Sequence, residues 1–429
     1  MKTPTRYKVL ALCVLLAGIT YLDRICISIT RPQMQQDLGL SATQMGWVFS
    51  AFQLAYGLFE IPTGHWGDKI GTRRVLTRIV VWWSAFTMIT AGAFNYVSLL
   101  VIRFLFGIGE AGAWPNVART FSRWFPLHER ATAQGIFFMG AHLAGGLTPL
   151  LVTWLMHYFD WRTLFLMFGS IGFVWAFFWY RWVRDEPREH PQVSAEELAL
   201  IERGRSVQAK HDLDWSRWKT LFSNPSVLGL CGMYLTQSYG FAFNIYWLPE
   251  YLRTARGFQD PTTLGILAGL PLTMSVAADL FGGITADKLS KRLGLRRGRV
   301  ITGFASLLLA GVFLIGGVWV SNNYASAILI GLSGAMGAFL LGAAWGTCLD
   351  IGGDHAGVVS AAMNTAGQVG AFLSPLVVPY TMKAMGTMDV GAYIVGGLYL
   401  AGALCWLVVN PTKPIWPAEH NQATQRSDS

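Results

Sequence analysis

Long apolar runs separated by short polar and basic segments dominate this 429-residue chain. A helix needs about 20 apolar residues to cross the hydrocarbon core of a bilayer, and about twelve runs of that order can be drawn. They cover 8–29, 45–66, 75–94, 97–120, 131–157, 161–183, 226–252, 262–286, 299–320, 323–349, 356–385 and 388–409. The longest polar stretch, 184–225, divides them evenly. It holds Ser194-Ala195-Glu196-Glu197, a capping-box start for a short amphipathic helix. The expected plan is a first helical bundle over 1–183, a linker over 184–225, a second bundle over 226–410, and a polar tail over 411–429 that is expected to be disordered.

Composition removes the soluble alternatives. Hydrophobic residues make up 53% of the chain and charged residues 13%, with a mean hydropathy of +0.39. A soluble domain carries about 25% charge. Backbone groups in lipid must be satisfied within helices, and the short alternating segments of a β-barrel are missing, so the chain reads as an all-α membrane protein. The net charge of +9 follows from topology and does not call for nucleic acid. With the N-terminus inside, the inner segments collect about 26 Lys and Arg and the outer segments about five. Both termini are therefore expected in the cytoplasm. No small-residue cleavage site precedes Asp23, so the first run is read as an uncleaved span. The five cysteines lie in apolar runs without CxxC spacing and read as small buried hydrophobes, with no metal site or cofactor implied.

The two halves repeat. Gly64-His65-Trp66-Gly67-Asp68-Lys69 follows the second span, and Gly283-Ile284-Thr285-Ala286-Asp287-Lys288 follows the eighth. Arg130 to Pro149 and Ala356 to Pro375 are small-residue runs of equal length that end in Thr/Ser-Pro-Leu. Parallel duplication of this kind is a known transporter plan.

Ionisable residues inside the spans carry the candidate chemistry. Each costs at least ~2.5–3.5 kcal/mol at bilayer depth on insertion scales. Asp23 and Arg24 interrupt the first span, and Arg103 and Glu110 the fourth. Arg103 and Glu110 are two turns apart, so they share a face ~10.5 Å along the axis. Arg103 reads as an anion ligand and Glu110 as a proton acceptor; a structural ion pair is the alternative. Asp23 and Arg24 diverge by ~100° around their helix. One arrangement points Arg24 into a central cavity and sets Asp23 against a neighbouring helix; a permanently paired hinge is the other. Arginine suits a carboxylate because its planar fork binds both oxygens. The four side chains are expected to line one wet chamber. Hydroxyl recognition then falls to neutral or weakly basic side chains on other spans: Tyr21, Tyr56, His142, Gln237, Trp345, Ser360 and Asn364, with Tyr56 and Asn364 foremost, against helix packing as the alternative for the rest. The loop Gly64–Arg74 reads as a latch in which Asp68 meets a helix terminus across the gap and Arg73 and Arg74 supply partners or meet anionic lipid, with Gly71 in its turn and Asp287 in the second copy. No Gly-Lys-Ser/Thr loop, HExxH or GxSxG occurs, which argues against an enzyme or an ATP-driven pump.

The loop Gly64-x-x-Gly67-Asp68-Lys69-x-Gly71-x-Arg73-Arg74 resembles the loop signature of the major facilitator superfamily. Trp66 and Lys69 depart from it, as does Ser290 in the second copy. Tyr21-Leu22-Asp23-Arg24, Tyr56, Arg103-Phe104-x-x-Gly107-x-Gly109-Glu110-Ala111 with Trp114-Pro115, and Tyr246-Trp247-Leu248-Pro249 resemble the anion:cation symporter branch, which includes bacterial sugar-acid carriers and sialin. The resemblance implies the major facilitator fold, with 12 transmembrane helices in two pseudo-symmetric six-helix bundles. It also implies a monomer in a bacterial inner membrane that moves a small organic anion, such as an aldonate, aldarate or hexuronate, together with protons. An anion exchanger and a non-transporting receptor are the rival readings. Titratable Asp23 and Glu110 argue against the first.

Overall fold

The computed structural model describes residues 4–203 and 215–416. Its helices are α1 (Thr5–Leu38), α2 (Ala42–Ile70), α3 (Thr72–Thr90), α4 (Tyr96–Glu110), α5 (Ala113–Trp124), α6 (Arg130–Leu155), α7 (Trp161–Trp182), α8 (Ala195–Glu202) and α9 (Trp215–Ser223). The second half holds α10 (Pro225–Tyr246), α11 (Leu248–Thr254), α12 (Pro261–Leu293), α13 (Leu295–Trp319), α14 (Asn323–Phe339), α15 (Leu341–Gly352), α16 (Ala356–Met385) and α17 (Asp389–Cys405). Among the described residues there is no strand. α8 and α9 belong to the polar stretch, and the other helices make up twelve crossings, with the short α11 ending the crossing of α10. α4 with α5 and α14 with α15 form two more of these, each interrupted near its middle.

Eight crossings are apolar enough to be assigned from composition alone. The remaining four are α2, α3, α10 and α16. α2 carries Glu60, His65 and Asp68, and α16 carries Ser360, Asn364 and Gln368. The polar positions are tolerated because α2 packs against α16 inside the protein, so little of this surface meets lipid.

The break between α4 and α5 has a local cause. Gly112 adopts φ +83, and a side chain there would bring its Cβ within 2.6 Å of Thr63. Only glycine meets both demands. The crossing therefore bends directly after Glu110, the last residue of α4. In the polar stretch, Ser194 caps α8 by accepting the Glu197 N–H at 3.1 Å. The reciprocal half of the expected capping box is replaced. The Glu197 carboxylate accepts the backbone N–H groups of Thr5 and Arg6, both at 3.0 Å, and so caps α1 instead. This ties the polar stretch to the start of the first crossing. Pro411–Trp416 also runs along the protein: Ile415 is buried and donates to the Ile351 carbonyl at 3.0 Å. The expected disorder of the tail beyond Trp416, and the middle of the linker at 204–214, lie outside the described residues.

Two seams join the halves: α2 against α16, and α6 against α12. Both depend on glycine at the closest approach. A Cβ on Gly64 would lie 2.8 Å from the Gly357 carbonyl oxygen and 2.9 Å from Ala361 Cβ, and one on Gly283 would lie 2.4 Å from the Ala131 carbonyl oxygen. Backbone cannot yield as a side-chain tip can, so Gly64→Val is expected to destabilise this arrangement by about 1–3 kcal/mol, the usual cost of overpacking. A lowered melting temperature of the purified protein checks this; an unchanged one would mean that the seam is looser than drawn.

Candidate functional site

Asp23 and Arg24 leave α1 in different directions, as adjacent helical positions must. Arg24 reaches the centre of the first bundle. Its Nε donates to Glu110 Oε1 in a short ion pair. Its guanidinium also lies 4.8 Å from the ring of Tyr56, 5.3 Å from that of Phe52 and 5.8 Å from that of Trp114. Asp23 is buried toward Trp83 and Thr87 of α3, and both of its carboxylate oxygens lack a hydrogen-bond partner among the described residues. Arg103 is buried between Phe106, at 4.2 Å, and Phe52, at 5.3 Å, within the field of both Asp23 and Glu110. The Arg103 Nε and Glu110 Oε2 atoms are likewise unpartnered.

The expectation that all four charges line open water needs correction. The Arg24 side chain retains 25% exposure and that of Glu110 none; Asp23 and Arg103 are equally enclosed. The aromatic rings over Arg24 and its bond to Glu110 close the other three behind it. Arg24 is thus the exposed end of a buried charge cluster.

Two further buried acids adjoin this cluster. Glu60, one turn beyond Tyr56 on α2, accepts a short hydrogen bond from the Asn364 amide of α16. Asp279 of α12 pairs with His142 Nδ1 of α6 at 2.5 Å. The Tyr21 ring stands 6.3 Å from His142 and 6.4 Å from Trp114, and so links this pair to the Arg24 surroundings. Ser360 is buried one turn before Asn364, with its hydroxyl unpartnered. Trp345 donates to the Tyr234 hydroxyl at 3.2 Å. Gln237 makes a helix-packing bond to the Gly337 carbonyl at 3.3 Å. Tyr21, Tyr56, His142 and Asn364 therefore surround the charge cluster, while Gln237 is engaged within the second bundle and Trp345 packs between Tyr234 and Phe138 of α6, at 5.6 Å from the latter.

One end of both seams is closed by carboxylates at helix N-termini, where unsatisfied N–H groups favour an anion. Asp68 accepts the N–H groups of Gly357 and Val358 at the start of α16, at 3.2 and 2.9 Å, and pairs with Arg119 at 2.8 Å. Asp287 accepts those of Ala131 and Thr132 at the start of α6, at 3.4 and 2.6 Å, and pairs with Arg299 at 2.8 Å. Arg299 and Arg130 both bind Asp350 as well, at 3.1 and 3.4 Å. Each half thus reaches across to cap a helix of the other, by the same bond.

These halves, seams and crossings are those of a known transporter architecture. The model of the Major Facilitator Superfamily matches residues 13–375. The chain belongs to the major facilitator superfamily. It is a transporter rather than an enzyme, and an integral membrane protein. Among its relatives, the probable sulfoacetate transporter SauU of Cupriavidus necator is 34% identical, over 95% of this chain and 94% of that one. The probable galactarate/D-glucarate transporter GudP of Bacillus subtilis is 31% identical over 99% and 96%. The solved structure of the proton:xylose symporter XylE bound to 6-bromo-6-deoxy-D-glucose superposes with a TM-score of 0.76 at 15% identity, over 95% of this chain and 96% of that one, and shares the fold.

Within the superfamily loop, the partners of Asp68 differ from expectation. Gly71 adopts φ +92, and its α-carbon faces the Asp185 carboxylate so closely that a Cβ would lie 2.4 Å from an oxygen. The chain turns sharply there, which carries Arg73 and Arg74 to the flank of α3. Arg73 donates to the Tyr180 carbonyl at 2.6 and 2.8 Å, and Arg74 is exposed. The cation that meets Asp68 is Arg119 of α5. Glu60 and Asp279 were not singled out in the sequence, although a signal existed. Each precedes its seam glycine by four residues and its capping aspartate by eight, so Glu60-Gly64-Asp68 and Asp279-Gly283-Asp287 are one repeat.

Breaking a buried, hydrogen-bonded ion pair costs about 3–5 kcal/mol. Asp68→Asn is therefore expected to loosen the capped end. A single cysteine placed at Ala361, in an otherwise cysteine-free protein, would then react with maleimide much faster than in the Asp68 background. Equal rates would show that the bond does not hold the seam.

Proposed function

We propose that this transporter is a proton-coupled symporter of a hydroxylated organic anion, with a sugar acid such as an aldonate, aldarate or hexuronate as the class of substrate. The observation that carries the reading is the Arg24–Glu110 pair. A substrate carboxylate that binds Arg24 competes with Glu110, which already holds the Nε of that guanidinium. Protonating Glu110 frees the guanidinium, and a bound anion in turn stabilises the protonated acid by taking away its partner. Each ligand thus favours the other, which is the coupling that symport requires.

Charge balance supports the same conclusion. The cluster contains four acids (Asp23, Glu60, Glu110 and Asp279), two arginines (Arg24 and Arg103) and His142, which pairs with Asp279. Even with His142 charged, the fully ionised cluster carries an excess of negative charge before any anion arrives. Two like charges ~6 Å apart repel by about 3 kcal/mol at an effective dielectric of ~20. Protons on Asp23 and Glu110 remove that obstacle. An exchanger of anions has no need for such acids. The relatives named for sulfoacetate and for galactarate/D-glucarate agree with an anionic substrate.

The cycle is a rocking of bundles 1–183 and 226–410 about the Arg24 region, joined by the 184–225 linker. The basic end, with both termini, faces the cytoplasm of a bacterial cell, and the transporter works as a monomer in the inner membrane. Asp68 and Asp287 then hold the cytoplasmic side shut, which makes the described arrangement outward-facing. Arg103 stands behind Arg24 and offsets Asp23 and Glu110 in turn.

Reconstitution in liposomes separates the parts. Glu110→Gln is expected to abolish uphill accumulation driven by a pH gradient while labelled substrate still exchanges. Accumulation at the normal level would remove Glu110 from the coupling. Arg103→Ala is expected to lower anion affinity by at least about ten-fold; wild-type affinity in that variant would assign Arg103 to packing alone.

A further inference from the structure

Glu60 has more capacity than its seam bond uses. It is fully buried, and only one of its oxygens has a partner, the Asn364 amide. The hydroxyls of Tyr56 and Thr365 lie beside it, and Ser360 sits one turn from Asn364 on the same face of α16. The second Glu60 oxygen and all three hydroxyls lack hydrogen-bond partners among the described residues. Buried polar groups are satisfied in all but a few cases; here the Tyr56 and Thr365 hydroxyls can turn to the free Glu60 oxygen when no ligand is bound, and the loose fit of the group leaves it able to receive polar atoms from a ligand. Arg24 borders the same group: its guanidinium lies over the Tyr56 ring, and its charge acts on Glu60.

The patch therefore has two unlike ends. Arg24 offers donors in a fork, whereas Glu60 offers a carboxyl oxygen that carries a negative charge when the Arg24 guanidinium beside it keeps it ionised. A ligand bridging them needs an anionic group at one end and hydrogen-bond donors, such as hydroxyls, at the other. A second carboxylate or a sulfonate at the far end would face Glu60 and find like charge.

We infer that Glu60 is a specificity-determining residue of this transporter: its free oxygen accepts the hydroxyls of the substrate's far end, and its charge excludes acids with a second anionic group there. The substrate is then a monoanionic polyhydroxy acid. This rests on the reading of Arg24 as the anion site, and it selects among the sugar acids named above.

Gluconate and glucarate test it, since they share a six-carbon hydroxylated chain and differ in whether the far terminus is an alcohol or a carboxylate. Competition against labelled gluconate in purified, full-length protein is expected to favour gluconate by about ten-fold or more. Glu60→Gln keeps an acceptor for Asn364 and removes the charge, so the ratio should fall to within about three-fold, mainly through tighter glucarate binding. Equal binding of the two acids by the wild type, or an unchanged ratio in Glu60→Gln, overturns the assignment; a residue serving only the seam would leave the ratio alone. The wild-type ratio alone decides if the variant does not purify. Should neither acid bind, the sugar-acid reading fails by itself. The same comparison then passes to glycolate and malonate, measured directly by calorimetry, where preference for malonate, or no preference, would equally overturn the role of Glu60.

Discussion

The Nε of Arg24 is taken by Glu110 in this structure, and the aromatic rings packed around the guanidinium crowd any second carboxylate that would share it. Much else in the central region follows from that constraint. The pair is set in aromatic walls from Phe52, Tyr56 and Trp114, where water is scarce and an unpaired charge is expensive. Neither partner can be given up without a replacement: a proton for Glu110, an anion for Arg24. A site built this way is not a passive anion pocket. It exchanges one neutral arrangement for another, and that exchange is what a coupled carrier needs at its centre.

The bundle interfaces extend this logic to the rest of the molecule. Two seams, each built as acid, glycine and aspartate at four-residue intervals, run from the charge cluster to the capped end. The aspartates hold the end shut by capping helices of the opposite half. The glycines let the backbones touch. The acids Glu60 and Asp279 end the seams beside the cluster, bonded to Asn364 and His142 across the interface. A change in charge at the centre therefore acts on groups that belong to the seams themselves, which offers a short route from binding to rocking.

Most of the architecture was legible in the sequence because lipid enforces a simple pattern. Twelve crossings, their even division and the internal repeat all follow from run length and spacing. Asp23, Arg24, Arg103 and Glu110 stood out for the same reason, as charges in otherwise apolar runs. What failed to emerge depended on which residues face each other. Glu110 is two turns from Arg103 on one helix, yet it pairs with Arg24 from another. Arg119, which the sequence does not single out, proves to be the partner of Asp68, because Gly71 turns Arg73 and Arg74 aside. Glu60 was not singled out, although it too is a charge inside an apolar run. The rule that marked the other acids, applied evenly, would have found it.

Proton uptake on binding is the most direct test of the exchange at Arg24. Gluconate binding to the purified protein near neutral pH can be measured by calorimetry in buffers that differ in their heat of ionisation. If an anion displaces Glu110 from Arg24 and the acid is protonated in consequence, the observed heat will vary with the buffer, and its slope will report about one proton taken up per anion bound. A heat independent of the buffer, with binding intact, would mean that the anion does not exchange Glu110 for a proton at this arginine.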